Sequence, residues 1–407
     1  MSVSDSVDKS REAKEGVDVI PEGGWSAWLT VLGSFLIQFC GFGYTTSFGV
    51  YQDFYARHYL TNSSASTISW IGSVNAFLVV SGGLVAGRLF DRGYFYWLLY
   101  GGSILISFSL FMLSLAKPNQ FYQIFLSQGL GHGIGAGMIY VPSIAILAQY
   151  FRQRRSLVMT IVASGSSLGA IVHPIMLNNL LNSPLGFGNT IRANTGLVSG
   201  FLLISCLLMR TRLPPPTRVT SLRKALRKFS RDTAYIFAVT GMTIFTMAFY
   251  LPVFFVQLDS ATRGLNPTFS FYTLVILNAS SFLGRLTPGP FIHKLGVGNI
   301  ITGACGCCAV MIFAMMGIKT LPEFVVFGII FGFFAGSYIT MNGPLMALLT
   351  DDFSELGARM GVAFAFIGGP INGALLGDEL IWWRASVVSG VSFLIFWFLK
   401  LKGSDKS

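Results

Sequence analysis

Long apolar runs separated by short, basic gaps constrain this chain more than any other feature. A run of about twenty apolar residues is long enough to cross a bilayer as a helix. Lipid offers no water to take up backbone N–H and C=O groups, so each run must coil on itself. Twelve runs are expected as helices: Trp25–Tyr51, Thr67–Arg88, Tyr94–Ala116, Phe121–Tyr150, Ser156–Leu180, Ile191–Met209, Ala234–Val256, Phe269–Leu286, Gly298–Gly317, Phe324–Leu349, Met360–Leu376 and Ile381–Leu399. Only 11% of the 407 residues are charged and 53% are hydrophobic. A water-facing surface needs charge on roughly a quarter of its residues, so lipid is the principal partner. The expected fold class is an all-α membrane protein of about twelve transmembrane helices in two six-helix, pseudo-symmetric bundles.

The net charge of +11 does not point to nucleic acid. With the N-terminus inside, the inner loops and tails hold 22 Lys and Arg against 6 outside. That asymmetry predicts cytoplasmic termini. A multi-pass location in the plasma membrane is expected, with an organelle membrane as the alternative. The first twenty residues are polar and mixed in charge, so no cleavable signal peptide is expected. Asn62-Ser63-Ser64 is a glycosylation sequon in the first outer loop. The expected division is a polar tail (1–24), a first bundle (25–209), a basic cytoplasmic linker (210–231), a second bundle (232–399) with a short eleventh span, and a tail (400–407). In the linker, Leu222, Leu226 and Phe229 share one face of a basic amphipathic stretch. It reads equally as a membrane-surface helix and as a solvated linker.

Two loops repeat. Gly87-Arg88-Leu89-Phe90-Asp91-Arg92-Gly93 follows the second run, and the stretch from Gly284-Arg285 to Lys294-Leu295-Gly296 follows the eighth. The first resembles the signature loop of the major facilitator superfamily, Gly-x-x-x-Asp-Arg-x-Gly. In the second, His293 stands where an Asp is usual. Pro21-Glu22-Gly23-Gly24-Trp25-Ser26-Ala27-Trp28, Tyr150-Phe151-Arg152-Gln153-Arg154-Arg155-Ser156-Leu157, and Ala163-Ser164-Gly165-Ser166-Ser167-Leu168-Gly169 are similar to stretches of the monocarboxylate porter family. Gly129-Leu130-Gly131-His132-Gly133-Ile134-Gly135 and Trp382-Trp383-Arg384 resemble its fungal branch. The resemblance implies the major facilitator fold and secondary active transport of a small organic solute by alternating access. It makes export of a secondary metabolite the leading expectation. Uptake of a carboxylate or vitamin-like anion, and a non-transporting sensor or relic, are the alternatives. Animal lactate porters of this family carry an intramembrane Lys and Asp where Phe48 and Ser281 stand here. Their proton–lactate coupling therefore does not carry over, and proton coupling by another route stays open.

The scarce intramembrane polar groups are the candidate site. An arginine inside a span belongs at a cavity or the bundle interior. Arg285 is that residue, with Asn278 and Ser281 on the same helical face. It suits an anionic or carbonyl-bearing solute; snorkelling to the inner mouth is the competing reading. His173 reads as a proton carrier or as a hydrogen-bonded packing histidine. Tyr44, Tyr338 and Asn342 are further substrate candidates, with Gln38, Thr45 and Gln128 as other intramembrane polar groups. Asp91, Arg92, Arg154 and Arg155 are expected to form charge contacts that gate the cytoplasmic side. The four histidines, His58, His132, His173 and His293, lack metal-ligand spacing. No phosphate-binding Gly-Lys loop is present, so no metal, cofactor, ATP drive or enzymatic role is expected.

Overall fold

A computed structural model describes residues 22–213, 222–243, 267–315, 317–350 and 355–367, with Phe245 and Pro252 between them. The described residues are helical throughout, with no strand. Eight helices are long and apolar enough to cross a membrane. Six lie in the first part of the chain: α1 (Trp25–Tyr59), α2 (Ser66–Asp91), α3 (Phe95–Leu113), α4 (Phe121–Gln149), α5 (Arg155–Leu181) and α6 (Gly186–Leu208). There follow α7 (Leu222–Phe229), α8 (Thr233–Thr243), α9 (Pro267–Leu286), α10 (Pro288–Leu295), α11 (Val297–Met315), α12 (Leu321–Leu348) and α13 (Leu356–Ile367). The expected twelfth span, the seventh beyond Phe245 (Pro252 apart) and the eleventh beyond Ile367 lie outside the described residues. So do the chain up to residue 21 and Pro214–Pro216.

The helices carry their apolar side chains outward. Trp97, Ile104 and Phe108 are exposed along α3, and Leu203 and Leu207 along α6. Inside lie Thr30, Ser34, Gln38, Asn75, Gln128, His132, His173 and Asn194. Only lipid can cover such an exterior, and only internal hydrogen bonds can satisfy such an interior.

α1 runs further than expected, to Tyr59 rather than Tyr51. Two π-helical turns, Phe39–Gly43 and Tyr55–Tyr59, absorb irregularities without breaking the helix. Its polar end carries an Asp53–Arg57 ion pair one turn apart, at 2.7 Å. α12 starts at a capping box in which Thr320 and Glu323 satisfy each other's backbone donors. Pro322 sits in the first turn, where a missing N–H costs nothing.

Helix approach depends on small residues. Gly83 and Gly87 of α2 face Gly357 and Gly361 of α13, two four-residue repeats laid against each other. A Cβ at Gly87 would collide with the Gly357 carbonyl, and one at Gly361 with the Gly83 carbonyl. α9 and α12 cross in the same manner through Gly284, Gly332 and Gly336. No hydrophobic effect drives helices together in lipid, so this backbone-to-backbone packing supplies the attraction instead.

Two stretches that stood apart in the sequence interlock. The Glu22 carboxylate accepts N–H bonds from Arg152 at 2.7 Å, from Gln153, and from Arg154 at 3.4 Å, just ahead of α5. Trp28 packs edge-on against Phe151 at 5.7 Å. The Tyr150 hydroxyl donates to the Arg210 carbonyl at 2.6 Å, and Gln149 accepts from the Arg212 and Leu213 backbone. One loop thus ties together the start of α1, the start of α5 and the chain beyond α6. Partial burial works to raise the Glu22 pKa, but the three backbone donors together outweigh it, and the carboxyl is held below its usual range.

Gly87→Val is expected to destabilise the protein by about 1–3 kcal/mol through overpacking, read as a lower thermal unfolding midpoint in detergent. Glu22→Gln is expected to cost up to about 1 kcal/mol at neutral pH. Because the folded-state pKa is depressed, the carboxylate's contribution is present above the ordinary value of about 4.3 and lost as pH falls below it. The gap between parent and variant should therefore close in acid.

Candidate functional site

Arg285 lies one residue before the end of α9 and is buried, 5% exposed. Its Nη1 donates to the Ala163 carbonyl at 2.6 Å and to the Ser166 hydroxyl, both on α5. One turn back, Ser281 accepts from Ser167 of α5 at 3.3 Å. Tyr140 of α4 is within electrostatic reach of the guanidinium. The Tyr140 carbonyl in turn accepts from Gln38 at 3.4 Å, and Gln38 also donates to Ser143 at 2.9 Å. Helices α1, α4, α5 and α9 therefore converge on one layer around Arg285. Its Nε has no hydrogen-bond partner among the described residues. That leaves a buried cationic donor, with no carboxylate bonded to it among the described residues, facing other elements rather than its own mouth. Asn278 shares the helix but ties its amide to the Leu274 carbonyl at 3.0 Å.

The remaining candidates fall in separate places. Tyr338 packs on Phe245, ring centroids 3.7 Å apart, and donates to the Met242 carbonyl at 3.4 Å. Asn342 is buried one turn further along α12, its Oδ1 without a partner among the described residues. The neighbouring Gly343 meets Ile144 and Met159 of α4 and α5.

Tyr44 and His173 come together in a different layer, inside α1–α6. Their rings are 5.6 Å apart, and His132 lies 4.6 Å from the other side of Tyr44. A continuous hydrogen-bonded network surrounds them. Tyr44 and Tyr51 hydroxyls meet at 3.0 Å, Tyr55 donates to Gln128 at 2.7 Å, and Thr45 donates to Asn75 at 2.8 Å. Asn75 bonds His132, and Asn194 bonds His173, each at 2.9 Å. Asn75 and Asn194 were missed from the sequence. The rule that singled out Gln128, a lone amide inside an apolar run, finds Asn75; Asn194 follows Arg192 near the polar start of α6 and carries no such signal.

At the helix ends near the basic loops, Asp91 is buried and takes its partners from backbone. Its carboxylate accepts N–H bonds from Gly357 at 3.1 Å and Ala358 at 2.7 Å, in the first turn of α13. An anion at a helix N-terminus completes the orphan donors and the positive end of the dipole. The acid amid arginines therefore needs no guanidinium partner, although Arg88 is within electrostatic reach. Arg92 is exposed. Arg154 gives its backbone N–H to Glu22, and Arg155 donates its Nε to the Phe151 carbonyl at 3.1 Å. Both contacts stay within α1–α6 rather than crossing to α13.

The long-range ion pairs at this end involve residues the sequence had not marked. Lys228 meets Glu355 at 2.7 Å, and Arg359 meets Asp232 at 3.0 Å. The Arg359 guanidinium also lies over the Phe229 and Tyr235 rings, at 4.9 and 5.2 Å. α7 and α8 are thereby latched to the start of α13. Asp91→Ala removes the α13 cap, a loss of about 1–2 kcal/mol. Roughly a 5–30-fold rise in opening at this end should follow, measured as faster maleimide labelling of a cysteine placed at Ser166.

Comparisons with known proteins agree with this architecture. Residues 30–368 match the Major Facilitator Superfamily. The chain is 37% identical to the aspyridones efflux protein of Emericella nidulans over 88% of its own length and 73% of that protein's. It is 34% identical to MFS-type transporter 1 of an Ophiocordyceps species, covering 88% of this chain and 80% of the relative. It is 32% identical to the fujikurins efflux protein of Gibberella fujikuroi, covering 92% and 82%. A crystal structure of the transporter FucP in the outward conformation superposes with a TM-score of 0.71 over 92% of this chain and 98% of FucP, at 14% identity, which speaks for the fold. A lipid-clad helical bundle, a polar interior, and a cap joining α2 to α13 are thus the features of a transporter, and the chain belongs to the major facilitator superfamily.

Proposed function

We propose that this transporter exports a small, weakly charged organic metabolite carrying a carbonyl, enolate or carboxylate oxygen. The observation that carries this reading is Arg285, a buried cationic donor bonded through Nη1 to the neutral groups of α5, with its Nε–H unpartnered among the described residues. In the state described, Ala163 and Ser166 occupy the guanidinium; a solute oxygen replaces them as α5 and α9 separate. Asn342, with an open amide oxygen, supplies a second polar contact. Ile144 and Met159 beside Gly343, and the Phe245–Tyr338 ring pair, add apolar surface along α12, which favours a largely apolar solute over a small hydrophilic acid. The relatives named for efflux of aspyridones and fujikurins support export and a metabolite of that character.

Alternating access follows from the two contact sets. Asp91 on the α13 N-terminus, with the Gly83/Gly87 crossing, holds one end closed. Breaking the cap lets the two six-helix bundles, 25–209 and 232–399, rock about the Arg285 layer. We further propose the fungal monocarboxylate-porter branch, cytoplasmic termini, a plasma-membrane location and glycosylation at Asn62, which is exposed in a turn between α1 and α2.

The test is a metabolite panel applied to cells with and without the protein, scored by extracellular accumulation. Arg285→Ala should reduce export of the responding compound by roughly 10–150-fold, as expected when a desolvated charge-assisted hydrogen bond of about 1.5–3 kcal/mol is lost, with insertion unchanged by surface labelling. Export at the parental rate in that variant removes Arg285 from the site.

A further inference from the structure

We propose that His173 is a proton-binding site of this transporter, and that His132, beside it, is locked in the neutral form. The inference rests on the transporter reading above and adds the group that handles a proton.

The acids among the described residues are Glu22, Asp53, Asp91, Asp232, Glu323 and Glu355, and all lie towards helix ends or in loops. Away from the ends of the described spans, imidazole is therefore the side chain whose free form titrates nearest neutrality. Two imidazoles are fully buried, His132 and His173, and both touch Tyr44. Their hydrogen bonds have opposite polarity.

Asn75 settles His132. Its Nδ2 donates to the Gln128 carbonyl at 2.6 Å, while its Oδ1 accepts from Thr45 at 2.8 Å. A carbonyl can only accept, so the amide orientation is determined. The same Nδ2 then directs its second hydrogen at His132 Nδ1, which lies 2.9 Å away. His132 Nδ1 must be a bare lone pair, and its hydrogen sits on Nε2, which, like His173 Nε2, makes no hydrogen bond of its own among the described residues, although a backbone group, that of Cys40, is within polar reach. Protonating Nδ1 would set two donors against each other. Turning Asn75 over would instead press its oxygen against the Gln128 carbonyl.

Asn194 does the reverse for His173. Asn194 turns its Oδ1 to His173 Nδ1 at 2.9 Å, and an amide oxygen can only accept, so Nδ1 carries the hydrogen; the Tyr51 hydroxyl, able to give or take a hydrogen, also meets this amide. The hydrogen sits on Nδ1 and the lone pair on Nε2. That Nε2 makes no hydrogen bond of its own. The Phe39 carbonyl is within polar reach of the ring and opens the π-helical turn of α1, where the regular backbone ladder is interrupted. A proton from water forms one new N–H bond at Nε2 with no existing bond broken, and we assign the Phe39 carbonyl as the acceptor that turns towards it.

The titratable groups around His173 are Tyr44 and Tyr51 of α1 and His132 of α4; α6 contributes the neutral Asn194. A fixed charge that reaches its helix from outside is Arg285 of α9, which contacts α5 at Ser166, about two turns from His173. No carboxylate faces the ring among these neighbours, so the added charge is borne by two carbonyl-type oxygens.

The experiment is imidazole ¹⁵N NMR on the full chain, labelled at histidine and held in lipid nanodiscs, titrated from about pH 8 to about pH 4, across the free-imidazole value near 6.5. Single His→Gln changes at His58, His132, His173 and His293 assign the signals. At high pH, His132 should show the Nε2–H tautomer and His173 the Nδ1–H tautomer, and His173 should gain its second N–H first. Reversed tautomers, earlier protonation of His132, or a His173 that stays neutral across the range would each overturn the proposal. No solute is needed, so failure here leaves the export reading standing, and failure of the export panel leaves this result unaffected.

Discussion

Close contact between backbones is the constraint on which this structure depends. Between lipid-immersed helices there is no hydrophobic effect to exploit, because lipid tails are as apolar as leucine. Attraction must come from dispersion and from interhelical hydrogen bonds, both of which need short separations. Gly83, Gly87, Gly357 and Gly361 supply that separation between α2 and α13, and Gly284, Gly332 and Gly336 supply it between α9 and α12. The Asp91 carboxylate reaches the α13 N–H groups because those glycines let the two helices touch. A Cβ on Gly357 would meet Asp91 itself.

A second theme is that titratable groups find backbone as often as they find counter-ions. Asp91 and Glu22 each take successive N–H groups near a helix start, while Arg285 and Arg155 give hydrogens to carbonyls on α5 or just before it. Dipolar partners have a mechanical advantage for a rocking transporter. Neutral partners can be exchanged for water or solute oxygen without stranding an opposite charge in a medium of low polarity. The Lys228–Glu355 and Arg359–Asp232 pairs lie outside this pattern, at the basic end, each joining a buried residue of the α13 start to a more exposed partner.

The helical character, most of the span positions and the class of protein were legible because they depend on periodicity and on total polarity. Arg285 was legible for the same reason, since a charge inside a span advertises itself. The ends were harder to read. α1 passes its apolar stretch because π turns and an Asp53–Arg57 pair extend it, and neither leaves an apolar signature. Pairings were not legible at all. Glu22 and the loop before α5 are two separate motifs on the page, and nothing local says that one carboxylate joins them.

By itself the sequence determined that the chain lives in lipid, that it coils, and that its few polar groups face inward. These follow from transfer free energies, which add residue by residue. Only the tertiary structure decided which polar group meets which: Asp91 with α13 rather than an arginine, Arg285 with α5, Arg359 with Asp232, and Asn75 and Asn194 on two imidazoles with opposite polarity. Hydrogen bonds and ion pairs are short-ranged and directional, so their partners depend on helix crossings set by distant glycines and not on the spacing of residues along the chain.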